Sequence, residues 1–165
     1  MVDAKRALIR PSRDLRMADL KGVNSVLIGA RRAKPWVELF DRNNTFQGLF
    51  DAASRDHVLN RDPRNGEQSI YRDHLVNGVN HAYAIVAFTR GLTGQANVLL
   101  LSGTTTAGTE GAADFVLNER ALGGFLQKIA PGSGPIPHFE VILDVENVVL
   151  SSPRAEVVAY RIQKD

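Results

Sequence analysis

Two stretches of the chain hold residue types that could bind or transform a ligand. Gly29-Ala30-Arg31-Arg32-Ala33-Lys34-Pro35-Trp36 sets three cations directly after a short apolar run. Ser102-Gly103-Thr104-Thr105-Thr106-Ala107-Gly108-Thr109-Glu110 follows a second apolar run and is rich in glycine and hydroxyls. A guanidinium binds phosphate or carboxylate with a planar fork of donors, and backbone N–H groups at a strand-to-helix turn favour the same anions. The candidate ligand-binding set is therefore Gly29, Arg31, Arg32, Trp36, Ser102, Gly103, Thr104, Thr105, Thr106, Gly108, Thr109 and Glu110. The same glycines and hydroxyls also suit a tight junction that binds nothing.

Several enzyme classes lose support at once. Gly103 and Gly108-Thr109 have the glycine frame of a phosphate-binding loop, but the lysine that would reach the terminal phosphates is missing. Gly29 lacks the two following glycines of a dinucleotide fingerprint. No G-x-S-x-G esterase elbow surrounds Ser102, although Ser102-Gly103 follows an apolar run. The cysteine count of 0 removes thiolate nucleophiles, disulfides and cysteine metal sites. The histidines are His57, His74, His81 and His138, and Arg-Asp-His occurs at Arg55-Asp56-His57 and again at Arg72-Asp73-His74. Neither spacing matches a metal-binding H-x-x-x-H or H-E-x-x-H, so the expectation is local Asp-His contacts in loops, with no metal and no cofactor. Asp144 and Glu146, two apart, read as the wet face of a strand. No set of residues stands out as catalytic.

The elements that must position these residues follow from hydrophobic spacing. Ser25-Val26-Leu27-Ile28-Gly29 has the pattern of a strand buried on both faces. Pro35 suits the first turn of a helix carrying Trp36, Val37, Leu39 and Phe40 on its apolar side. Residues 43–80 are polar and broken by Pro63, Asn65-Gly66 and Asn77-Gly78, which predicts short strands or hairpins. Tyr83 to Phe88 and Asn97 to Leu101 are strand-like runs around Arg90-Gly91-Leu92-Thr93-Gly94. Helices are expected over Thr109 to Leu117 and from about Glu119 to Ile129, ended by Pro131-Gly132. Phe139 to Val145 and Glu156 to Ile162 alternate with period two, as paired antiparallel strands with one solvated face do. The expected fold class is α/β: a Rossmann-like three-layer sandwich on a mixed, mainly parallel sheet with antiparallel C-terminal strands.

At 165 residues with 44% hydrophobic content, one domain over 1–165 is the default, with 1–21 read as a basic arm and short helix. Nine basic against three acidic residues precede Pro35, and eleven against fifteen follow. That asymmetry suits an anionic ligand or an acidic protein partner, but is too weak for a nucleic-acid surface. No run is apolar enough to cross a membrane, and the apolar edge near Ile162 could pair two copies. The compartment stays open, with the cytoplasm favoured.

The order of motifs, Gly29 to Trp36, then the Tyr83 strand, then V-L-L-L-S-G-T-T-T-A-G-T-E-G-A-A at Val98 to Ala113, resembles uncharacterised bacterial Rossmann-like domains. Such domains occur beside signalling or cell-envelope segments, and the resemblance covers about Ser25 to Leu117. It implies a non-catalytic ligand-sensing or protein-interaction module of a larger protein. The alternative is an enzyme acting on an anionic, nucleotide-like substrate, with the two turns converging at the C-terminal ends of the strands.

Overall fold

Ala84-Ile85-Val86-Ala87 leaves no polar side chain to face water, so this run must lie between two covering layers. In a computed structural model, which describes residues 7–29, 35–51, 55–132, 134–147 and 154–163, it forms the middle of a long strand, Val79–Arg90. In chain order the strands are β1 (Ser25–Ile28), β2 (Phe46–Asp51), β3 (Arg55–Asn60), β4 (Ile70–Arg72), β5 (His74–Val76), β6 (Val79–Arg90), β7 (Asn97–Gly103), β8 (Phe139–Asn147) and β9 (Arg154–Ile162). The helices are α1 (Pro35–Asp41), α2 (Thr106–Leu117) and α3 (Glu119–Ile129). Short 3-10 turns at Ser12–Asp14 and Met17–Leu20 precede β1. No helix of the described residues is long and apolar enough to cross a membrane.

The large sheet runs β1-β7-β6-β8-β9, with β5 pairing the start of β6, while β2-β3-β4 form a separate small sheet. The fold is α/β and its large sheet is mixed, as expected. The sheet is not mainly parallel: β1 with β7 is the parallel pair, and every other pairing described is antiparallel. The reason lies in the connections. β6 and β7 are joined by the short turn around Gly91 and Gly94, and β8 turns back into β9, so neither pair has the long crossover that parallel strands need.

The two faces of the sheet are covered differently. On one, α2 and α3 bury Ala112, Phe115, Phe125 and Ile129 against Val86, Leu101, Val141 and Val145. On the other, the small sheet and α1 bring Val37, Phe40, Phe46, Val58 and Tyr71 onto Tyr83, Ile85, Leu100 and Ile142. Helices on both faces of a parallel sheet were expected, and here a second sheet takes most of one helical layer's place. β8 is covered on both faces in consequence, not solvated on one as its alternation suggested, and Glu140 is only 2% exposed. β1 departs in the opposite sense. It is an edge strand with Leu27 buried, while Val26 and Ile28 stay exposed because α2 and α3 lie over β6 to β8 instead.

Glu140 explains how the small sheet docks. Its two carboxylate oxygens accept the backbone N–H groups of Thr45 and Phe46, at 2.8 and 2.7 Å, where β2 begins. Arg161, beside Glu140 on β9, reaches Glu67 in the segment between β3 and β4. Burial raises the Glu140 carboxyl above its ordinary value of 4.5, against the pull of those donors and of Arg161. The Arg161 hydrogen bonds hold Glu67 down at about 2.

Candidate functional site

The parallel pairing of β1 and β7 sets Ile28 beside Leu101, and the Gly29 N–H donates to the Leu101 carbonyl at 2.8 Å. The turns that begin at Gly29 and Ser102 therefore leave the sheet at the same rim. Arg31 and Arg32 lie outside the described residues, as does Lys34. Trp36 does not join the rim. Its indole N–H donates to the Ser12 carbonyl at 3.1 Å and its ring packs against the core, fastening the N-terminal segment to α1.

Ser102, Gly103 and Thr104 line a cavity of about 360 Å³. The remaining turn residues build the start of α2, which begins at Thr106 and not at Thr109. Thr105 is its cap, accepting the Gly108 N–H at 3.1 Å, and the Thr109 hydroxyl donates to the Thr105 carbonyl. Thr106, Gly108, Thr109 and Glu110 lie outside the cavity wall.

The glycine frame has a packing cause. A Cβ on Gly103 would stand 2.3 Å from the Thr109 nitrogen, and one on Gly108 would stand 2.8 Å from the Tyr83 carbonyl oxygen. The first turn of α2 thus presses backbone to backbone against the ends of β6 and β7, which only glycine permits. What reads as a phosphate-loop frame is a close helix-to-sheet contact.

The opposite wall of the cavity comes from the small sheet and α1: Gly48, Leu49, Phe50, Asp56, His57, Val58 and Glu38. None of these was expected. β2 pairs with β3 so that Leu49 stands against His57, and His57 is 7% exposed. Gly48 lies across from Ser102, whose Oγ would be 3.9 Å from a Cβ built there. Short strands were expected here, while the Arg-Asp-His that holds Asp56 and His57 was read as solvated and is part of β3. A second cavity, of about 620 Å³, opens at the opposite rim beside Glu140, Arg161 and His138, and none of the expected site residues among the described residues lines it.

A dense polar cluster adjoins the first cavity through Thr104. The Thr104 hydroxyl accepts the Tyr83 N–H at 3.0 Å and bonds to the Asp73 carboxylate. Tyr83 stacks on His74 with ring centroids 5.7 Å apart, and His74 lies 4.9 Å from the His81 ring. His81 Nδ1 is 2.7 Å from Asp144 Oδ1. The Tyr83 hydroxyl is pushed up to about 12, first by burial and then by the Asp144 charge, so it stays protonated. His74 and His81 have no metal-binding spacing along the chain and Asp144 reads as a wet strand face, yet three neighbouring strands bring them together, with one donor atom of each within 4.8 Å of the others.

No protein-family model matches the chain, and no curated protein or solved structure is significantly similar to it.

Proposed function

We propose that this chain is a ligand-binding α/β module that takes a small polar molecule into the cavity between the end of β7 and the small sheet. The observation that carries the reading is the cavity itself. At about 360 Å³ it falls in the size range of small-molecule sites, with the apolar walls and few convergent polar groups that such sites have. Leu49, Phe50 and Val58 supply apolar surface, while Ser102, His57, Glu38 and Asp56 supply polar groups. Two carboxylates in the described lining favour a ligand rich in hydrogen-bond donors, such as a sugar or an amine, over a free anion.

A second reading keeps the anionic, nucleotide-like substrate and makes the chain an enzyme. The parallel register of β1 and β7 favours it, because a rim shared by Gly29 and Ser102 is what that site needs. It depends on Arg31 and Arg32 turning over Ser102.

Thermal-shift measurements against sugars, amines, nucleotides and carboxylates separate the readings, with Gly48→Leu as the blocking variant. Gly48 is in a strand, where glycine weakens pairing, so the substitution fills the cavity without removing a core contact. Stabilisation by a sugar or amine that Gly48→Leu abolishes supports the first reading. Stabilisation by nucleotides alone, lost in Arg31→Ala, supports the second. No stabilisation by any compound rejects both.

A further inference from the structure

We propose that His74, His81 and Asp144 form a binding site for a divalent transition-metal ion of the Zn²⁺ type. The site is independent of any ligand in the neighbouring cavity.

Its geometry begins with a two-residue turn. Asn77 and Gly78 both have positive φ, 49° and 82°, as a type I′ hairpin turn demands. They make Val76 pair with Val79, Leu75 with Asn80 and His74 with His81. Directly opposed residues of antiparallel strands project to the same face, so the two imidazoles stand side by side. β8 then pairs with the other edge of β6. Tyr83 opposes Asp144 there, which makes Asp144 the diagonal neighbour of His81 on that face. Three adjacent strands thus contribute one donor each.

The distances suit a metal. Bonds of 2.0–2.1 Å at tetrahedral angles put donor atoms roughly 3.4 Å apart. The donor atoms here lie within 4.8 Å of one another, and the His81–Asp144 pair is already at 2.7 Å. Side-chain rotations that move donors by about 1 Å close the set around an ion. The donor types select the metal class: two imidazoles with one carboxylate suit Zn²⁺ and its first-row neighbours, while Mg²⁺ and Ca²⁺ prefer oxygen throughout.

The surroundings support ligation. The Tyr83 ring stacks on His74 with centroids 5.7 Å apart, which helps to orient that imidazole. His74 is exposed, while the His81 and Asp144 side chains are 13% and 21% exposed, so an ion can enter from solvent and water can complete its coordination. Three protein ligands plus water is the arrangement of an open zinc site.

The test uses the full chain without a histidine tag, stripped with chelator and titrated with ZnCl₂ by calorimetry and with CoCl₂ by visible absorption. The expected result is one ion per chain. His74→Ala and His81→Ala should each weaken binding by more than the ~10–100-fold that loss of a supporting contact costs. His138→Gln, at the opposite rim, should leave it unchanged. His74 is exposed, so its replacement keeps the fold, which circular dichroism checks. Absence of saturable binding, or binding that persists in both His74→Ala and His81→Ala, overturns the proposal.

Discussion

Arg161 grips Glu67 with both arms of its guanidinium, at 2.8 and 2.6 Å, across 94 residues of sequence. The side chains are 6% and 13% exposed, and the Arg161 guanidinium also lies 5.0 Å from the Phe46 ring centroid. This pair ties the last strand of the large sheet to the connection between β3 and β4. Removing one partner strands a buried charge, so Glu67→Gln or Arg161→Met is expected to lower unfolding free energy by about 3–5 kcal/mol. Replacing both with apolar residues should recover part of the loss. Urea denaturation of the two single variants and the double variant measures the coupling.

The same pair sets an acid limit. Glu67 falls from an ordinary 4.5 to about 2 in the folded chain, so its stabilisation is present above pH 4.5 and lost as pH drops from 4.5 towards 2. Acid unfolding followed by tryptophan fluorescence should therefore shift to higher pH in Glu67→Gln, where this contribution is gone.

Glu140 acts in the other direction. Its carboxyl is raised by burial, so the folded state holds that proton more tightly than the unfolded state does. The resulting contribution is fully present below pH 4.5 and declines as pH rises through the folded value. Glu140→Gln should remove this decline above pH 4.5. It should also cost about 1–3 kcal/mol throughout, because glutamine replaces one of the two oxygens that accept from Thr45 and Phe46 with an NH2 donor. Denaturant midpoints measured from pH 4 to pH 7 separate the slope from the offset.

Gly103 and Gly108 distinguish a packing role from a binding one. A Cβ at Gly103 meets backbone at 2.3 Å, which a rotamer change cannot relieve. Gly103→Ala is expected to destabilise by about 1–3 kcal/mol or more, as overpacking does. Gly108→Ala should also destabilise, although alanine is about 1 kcal/mol better within a helix. If both variants keep wild-type thermal stability, the close contact of α2 with the ends of β6 and β7 is wrong.

Those two glycines also show what the sequence could convey. The strand, turn and helix around Ser102 were readable because apolar runs and glycines mark such junctions, and so was the shared rim of Gly29 and Ser102. The cause of the glycines was not, since a glycine needed for close packing looks the same as one needed for a ligand. The short strands of the small sheet were expected within residues 43–80, but not where they pack. Nothing along the chain says that they cover the large sheet, so Gly48 and His57 facing the Ser102 turn, and Glu140 holding the start of β2, had no sign in the sequence. Trp36 was placed both in the ligand set and on the apolar side of its helix, and it is the second role that the packing shows.

The His74–His81 pairing could have been read directly. A two-residue Asn-Gly turn fixes hairpin register, and these histidines lie at equal distances on either side of Asn77-Gly78. A motif counted along the chain misses this, because H-x-x-x-H assumes a helix. The turn is therefore the element to perturb. Gly78→Val puts a β-branched residue at φ 82°, which costs about 1–2 kcal/mol and frees the hairpin to change its turn. Cross-strand nuclear Overhauser contacts between His74 and His81 should weaken in that variant. The β6–β8 pairing around Asp144, held by buried Ala84, Ile142 and Leu143, should persist. Loss of the His74–His81 contacts with β6–β8 intact makes the Asn77-Gly78 turn the device that sets the two imidazoles together. Contacts of undiminished strength would place that control in the strands.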